Sequence, residues 1–66
     1  MLDSGRGNRM TKLMIAAGFN EKELARKSGL PLQTVLKALK GAEMSEVIYY
    51  GLEQTCAEEI EANKRR

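Results

Sequence analysis

The sequence predicts a small all-α domain of four to five helices. Apolar residues recur at the three- and four-residue spacing of helical faces, and no segment alternates as a strand would. Glycine or proline separates the periodic segments. The 66 residues are enough for one domain, and a domain of this size buries only about 60% of the surface that its unfolded chain exposes. Self-association is a common way to stabilise such a small core.

Residues 1–8 are predicted to be a flexible arm because they contain two glycines and few apolar side chains. Arg6 and Arg9 are candidates for contact with a phosphate or a minor groove from this arm. The first helix is expected over residues 9–17, and Gly18 is expected to end it. Its inner face should consist of Met10, Leu13, Met14 and Ala17.

The second helix has well-marked ends. Asn20 is a good N-cap, and Glu23 lies where its carboxylate can bond back to the cap residue. Phe19 and Leu24 occupy the two positions of a hydrophobic staple across this cap. Gly29 suits the left-handed conformation that stops a helix.

The third helix is expected to run from Pro31 to Lys40, since proline suits the first turn of a helix and cannot continue the preceding one. Gly41 is expected to close it. Leu30 and Val35 are expected to fill the angle between the second and third helices. The two short helices and their turn would then form one compact unit.

The last helix is expected over residues 45–63. Its apolar side chains recur every four residues, at Met44, Ile48, Leu52 and Cys56, and Ile60 extends the stripe by one turn. Because this stripe is longer than one small core covers, its distal part is predicted to be a homodimer interface formed by Leu52, Cys56 and Ile60. The alternative is that Ile48 and Leu52 pack inward while the residues after Cys56 fray.

Charge is distributed unevenly along the chain. Residues 1–41 hold eight basic and three acidic residues, whereas residues 42–66 hold six acidic and three basic ones, for a net charge of +2. The first part would therefore attract phosphate, and the second would not. The alternative interpretation is that these are ordinary solvated helix surfaces.

Most catalytic and metal-binding chemistry is missing from the chain. It contains no histidine and a single cysteine, so an internal disulfide, a zinc site and a nucleophile–base pair with histidine are excluded. The sequence predicts neither an enzyme, nor a cofactor, nor a small-molecule substrate. No apolar run approaches the roughly 18 residues of a membrane span, and no signal-peptide core is visible. A reducing, cytoplasmic setting is expected.

The segment from Met10 to Gly41, about half of the chain, resembles the helix-turn-helix of the phage repressor and Cro type. EKELARKSG and LPLQTVLKALKG carry the resemblance, with Ala25, Gly29 and Val35 at the small, turn and buried positions. LQTV is also similar to the start of the recognition helix in the lactose-repressor family. The resemblance implies a lambda-repressor-like fold. It also implies sequence-specific binding of double-stranded DNA by a small dimeric transcriptional regulator, typically a repressor of a phage or plasmid.

By this resemblance, the third helix would lie in the major groove. The implied base contacts are Leu32, Gln33, Leu36 and Lys37, and the implied phosphate contacts are Asn20, Lys22, Thr34 and Lys40. Gln33 can form a bidentate hydrogen-bond pair with adenine. The alternatives are that Leu32 and Leu36 belong to a core or a protein interface, and that the lysines are merely solvated.

Two other functions remain open at this stage. A protein-interaction module of the same fold, such as an antirepressor or a docking subunit, is favoured by Glu21, Leu32, Leu36 and Leu39. A non-specific nucleic-acid compactor would bind all duplexes alike. DNA binding should weaken steeply as the salt concentration rises, whereas an apolar protein interface should change little.

Overall fold

The computed structural model describes residues 3–65, which form four helices. These are α1 (Ser4–Ala17), α2 (Glu21–Ser28), α3 (Leu32–Leu39) and α4 (Glu46–Lys64). No strand occurs in the described part of the chain, so the prediction of a small all-α domain is confirmed. α1 packs against α3 and α4, and α2 packs against the same two helices.

The first helix begins five residues earlier than predicted. Asp3 is its N-cap, and its Oδ1 accepts a hydrogen bond from the backbone N–H of Arg6 at 3.0 Å. Residues 4–8, expected to be a flexible arm, are therefore helical, and residues 1 and 2 lie outside the described residues. The cause is a distant contact, because Gly7 is buried and the N–H of Asp3 donates to the carbonyl of Gly41 at 2.7 Å.

The predicted ends of the second helix are confirmed. The N–H of Glu23 donates to Oδ1 of Asn20 at 2.8 Å, and the N–H of Asn20 donates to Oε1 of Glu23 at 3.1 Å. Gly29 has φ +75° and ends α2 in the left-handed conformation. These bonds all lie within residues 20–29, so the neighbouring sequence is enough to predict where α2 begins and ends.

The third helix is slightly shorter than predicted. Pro31 is its N-cap instead of its first helical residue, and the Pro31 carbonyl accepts from the N–H groups of Thr34 and Val35. Lys40 is the C-cap, and Gly41 follows with φ +79°. The difference at Pro31 is small, since its extended backbone leads directly into the first turn.

The core collects apolar side chains from all four helices. Its buried members are Met10, Met14, Ala17, Leu24, Val35, Ala38, Tyr49, Leu52 and Cys56. Among them, Leu52 and Cys56 have no exposed surface in a single copy of the chain. Both residues, which the sequence assigned to a dimer interface, therefore lie in the core of their own chain, where α4 packs against α1 and α2. Ile60 is partly buried and packs against the same core.

A cluster around Arg6 joins the start of α1 to α4. The Nη2 of Arg6 lies 2.7 Å from Oε2 of Glu46, and its guanidinium lies 4.4 Å from the ring centre of Tyr49. The buried Tyr49 donates its hydroxyl hydrogen to the carbonyl of Ala42. Burial raises the pKa of Tyr49. Arg6, a candidate for phosphate contact, is thus engaged within its own chain.

Candidate functional site

The surface of α3 carries the four residues predicted to contact bases. Gln33 and Lys37 are exposed, and Leu32 and Leu36 keep 37% and 41% of their surface exposed. These residues lie at positions i, i+1, i+4 and i+5 of one helix, so they share one side of it. Val35 is fully buried on the opposite side. We call this side, formed by Leu32, Gln33, Leu36 and Lys37, the α3 face.

The position of the α3 face depends on buried contacts behind it. Val35 and Ala38 have no exposed surface, and Leu24 of α2 is equally buried in the same core. Leu30 in the connection between the two helices packs against that core. Because the buried side of α3 is fixed in the core, its exposed side chains are held in a defined arrangement. Recognition of a partner with a regular, repeating surface requires such an arrangement.

The α3 face combines two kinds of chemistry. Gln33 offers an amide that both donates and accepts hydrogen bonds, and Lys37 offers a cation. Leu32 and Leu36, which lie one turn apart, offer only apolar contact. Of the two alternatives for these leucines, their exposure excludes the core of the chain and leaves a protein interface open. They remain available to a thymine methyl group or to the apolar surface of a protein.

The residues predicted to contact phosphate are not equally suited to bind it. Lys22 and Lys40 are exposed, and Thr34 is partly buried. Asn20 is exposed, but its side-chain oxygen is already bonded to the N–H of Glu23. Its backbone N–H donates to Oε1 of Glu23, so the side-chain NH₂ group is what Asn20 could donate to a phosphate.

The N-terminal end of α2 already holds a carboxylate. Helix N-termini attract anions because their first N–H groups are unpaired. Here Oε1 of Glu23 accepts from the N–H of Asn20, and Glu21 adds a second negative charge in the same turn. A phosphate approaching this end would meet both carboxylates, so Lys22 and Lys40 are better suited to bind it than the α2 terminus.

The positive charge of the first 41 residues is not all displayed on one face. Lys27 near the end of α2 lines a cleft together with Glu58 and Glu59 of α4. These acidic residues offset its charge. Lys37 and Lys40 extend from α3, which belongs to the basic part of the sequence. The sequence could not show this division, because it arises from the way α4 packs beside α2.

Cys56 is unsuited to nucleophilic chemistry. Its side chain has no exposed surface, and burial, assisted by the charge of Glu53, raises the pKa of its thiol to about 11. Within residues 3–65, no three potential metal-binding side chains come together. None of the four described helices combines the length and apolar character needed to cross a membrane.

The Cys56 thiol makes the stability of the fold sensitive to alkaline pH. Its folded pKa of about 11 lies above the ordinary value of 9.0, so the neutral thiol favours the folded state below pH 9. This contribution is lost as the pH rises from about 9 toward 11. We expect the wild-type protein to lose up to about 2 kcal/mol of unfolding free energy over this range, beyond the loss shown by Cys56→Ala.

Urea unfolding at pH 8 and pH 10.5, followed by circular dichroism, measures this difference. The two proteins contain the same other titratable groups, so any effect of those groups cancels in the comparison. Equal losses of unfolding free energy in the two proteins would show that the Cys56 thiol does not titrate differently on folding.

Comparisons of the chain with protein-family models, curated proteins and solved structures gave no significant match. The site is therefore interpreted from its own residues and geometry.

Proposed function

We propose that the protein binds double-stranded DNA through the α3 face and acts as a small regulator of transcription. The observation that carries the proposal is the exposure of Gln33 and Lys37 on a helix whose other side is fully buried. A helix of this kind fits the major groove, where each base pair presents its own pattern of donors and acceptors. Gln33 would pair with adenine, and Lys37 with guanine or a phosphate.

Of the remaining contacts in this proposal, those to phosphate set the position of the protein, and the one to a thymine methyl group adds to base recognition. Lys22, Thr34 and Lys40 would bind the sugar-phosphate backbone, and Leu32 would contact a thymine methyl group. Repression is the proposed outcome, as the resemblance to the phage repressor type of helix-turn-helix implies. Pairing of two copies would supply the two half-sites that small DNA-binding domains commonly need.

Selection of bound duplexes from a random DNA pool tests the proposal directly. Recovery of a motif with two-fold symmetry and half-sites about one helical turn apart supports a specific regulator. Binding without any motif would replace it by a non-specific nucleic-acid compactor. Failure to retain any duplex even at low salt concentration would overturn DNA binding altogether.

Substitutions on α3 should separate base contacts from phosphate contacts. We expect Gln33→Ala to cost about 1–3 kcal/mol of binding free energy and to relax one position of the selected motif. Lys40→Ala should weaken binding to all duplexes about equally and reduce its salt dependence. Fluorescence anisotropy with selected and scrambled duplexes at several salt concentrations measures both effects.

The α4 helix provides the control. Gln54 is an exposed glutamine outside the α3 face, and Gln54→Ala should leave DNA affinity unchanged. If Gln54→Ala and Gln33→Ala lowered affinity equally, the α3 face would not be the site of base recognition.

A protein-interaction module is the second candidate, and two observations favour it. Leu32 and Leu36 are exposed one turn apart, and such pairs are typical anchors for a protein surface. In addition, the N-terminal end of α2 would approach the DNA backbone, and Glu21 and Glu23 place negative charge at that end. Leu36→Ser separates the candidates, because it should abolish an apolar interface but reduce DNA affinity only modestly.

A further inference from the structure

A partly apolar stripe runs along the side of α4 that faces away from the core. Val47 is 77% exposed and Tyr50 is 64% exposed, so both present most of their apolar surface to the outside. Gln54 is exposed as well, and Ala57 is only partly buried. We call this side, formed by Val47, Tyr50, Gln54 and Ala57, the outer α4 face.

The spacing of the outer α4 face is that of a helix-pairing seam. Its four residues are separated by three, four and three positions, which is the alternation that keeps the a and d residues of a heptad on one line. Leu52 and Cys56, which fill the core, lie on the other side of the same helix. The outer α4 face is therefore suited to a second helix that lies lengthwise along α4.

The fold leaves the outer α4 face free when the α3 face is occupied. α1 and α2 each pack against both α3 and α4, so these two helices lie between α3 and α4. The α3 face and the outer α4 face both point away from the shared core, on different sides of the molecule. A partner on α4 would therefore not compete with a partner on α3.

Gly51, which lies beside this stripe, is not required by the fold of the chain itself. A glycine inside a helix lowers its stability relative to alanine. Gly51 does not have a positive φ, and a Cβ at this position would have no heavy atom within 4 Å. The absence of a side chain lets the backbone of another molecule approach closely. Gly51 is thus better explained by a contact outside the chain than by one within it.

The charge of α4 restricts what can cover this face. The helix contains five glutamates and one lysine, a formal net charge of −4. In the heptad defined by the stripe, Glu53 flanks it on one side and Glu58 on the other. Among residues 3–65 neither carboxylate forms an ion pair, although Lys27 shares a cleft with Glu58.

These flanking carboxylates exclude several kinds of partner. Nucleic acid and anionic membranes are repelled by an acidic surface. A second copy of the chain seated on this face would place glutamates opposite glutamates, which is unfavourable. The remaining occupant has an apolar stripe of its own and positive charge on both sides of it.

We propose that the outer α4 face binds a basic amphipathic helix of another protein. Apolar side chains of that helix pack against Val47, Tyr50 and Ala57, and its lysine or arginine side chains lie beside Glu53 and Glu58. The ring of Tyr50 supplies the largest contact, and a cation is also attracted to its face. This binding does not depend on DNA, so it can fail or succeed independently of the proposed function.

Fluorescence anisotropy of the full chain with a labelled synthetic peptide, in the absence of DNA, tests the proposal. The probe is a helix of about three heptads with leucine at the a and d positions and lysine at e and g. The matched control peptide has glutamate at e and g. We expect a dissociation constant of about 10–100 µM for the lysine peptide, because the face spans only a few turns, and binding at least about tenfold weaker for the glutamate peptide.

Substitutions in the chain locate the site. Tyr50→Ser should raise the dissociation constant of the lysine peptide at least about tenfold, as expected for the loss of an aromatic anchor. Ile15→Ser is the matched control, because Ile15 is 66% exposed but lies on α1, and it should leave the affinity unchanged. The double variant Glu53→Lys/Glu58→Lys should bind the glutamate peptide more tightly than the lysine peptide. Circular dichroism verifies that each variant is folded.

Four results would overturn the proposal. The first is no binding of the lysine peptide up to about 1 mM. The second is equal affinity of the wild-type chain for the two peptides. The third is equal weakening by Tyr50→Ser and Ile15→Ser. The fourth is a folded double variant that keeps the wild-type preference for the lysine peptide.

Discussion

Replacing Gly7 by alanine is expected to destabilise the protein by about 3 kcal/mol, at the upper end of the cost of overpacking. Alanine normally stabilises the interior of a helix relative to glycine by about 1 kcal/mol. The opposite sign is expected here because Gly7 is buried at a contact between helices. A Cβ at this position would lie 2.7 Å from Gly41 N, Leu39 O and Lys40 C.

These three neighbours are backbone atoms at the end of α3, so they cannot rotate out of the way as a flexible side chain could. The clash can be relieved only if α1 moves away from α3. That movement would also break the hydrogen bond from the N–H of Asp3 to the carbonyl of Gly41. Gly7→Ala is therefore expected to lower the free energy of unfolding of the whole domain, since a local adjustment cannot relieve the clash.

Gly51→Ala is the matched control for this prediction. Gly51 also lies inside a helix, but a Cβ there would have no heavy atom within 4 Å. We expect this substitution to stabilise the fold by about 0.5–1 kcal/mol through helix propensity and the lost freedom of the unfolded chain. Urea unfolding of both variants measures the two shifts. A neutral or stabilising Gly7→Ala would mean that α1 does not pack closely on the end of α3.

The contrast between these glycines explains which parts of the fold were predictable. The ends of α2 were predicted correctly because the Asn20–Glu23 bonds and the left-handed Gly29 are local to the sequence. The start of α1 was missed because its two glycines argue against a helix when only neighbouring residues are considered. The contact that makes Gly7 acceptable joins residues more than 30 positions apart along the chain.

The placement of Leu52 and Cys56 could not be predicted for a related reason. An apolar stripe recurring every four residues shows that one side of α4 is covered, but it does not show what covers it. In the structure, α1 and α2 both pack on α4, so the core is deep enough to take up Leu52 and Cys56.

The exposure of the α3 face was predictable from the sequence, whereas its surroundings were predictable only in part. Helical periodicity correctly separated Gln33 and Lys37 from the buried Val35. The carboxylates held at the start of α2 are also visible in the sequence as a capping box. The placement of Lys27 beside Glu58 and Glu59 depends on helix packing, and the charge balance of sequence segments cannot reveal it.

The second large effect is expected at Leu52. Leu52→Ala should reduce the unfolding free energy by about 2–5 kcal/mol, because it removes a fully buried side chain from a well-packed core and leaves a cavity. For a domain of 66 residues, a loss of this size approaches the whole stability. Val47→Ala is the control on the same helix, and with Val47 77% exposed, its cost should be close to zero.

The dependence of this loss on protein concentration decides what kind of residue Leu52 is. A side chain buried within one copy contributes equally whether or not copies associate, so the difference between wild-type and Leu52→Ala should be the same at about 1 µM and at about 100 µM. A residue buried between two copies would contribute only at the higher concentration. Thermal unfolding of the wild-type protein and of Leu52→Ala at both concentrations separates the two kinds of contribution. If the effect of Leu52→Ala disappeared on dilution, Leu52 would lie at an interface between copies. In that case α4 would have to pack differently against α1 and α2.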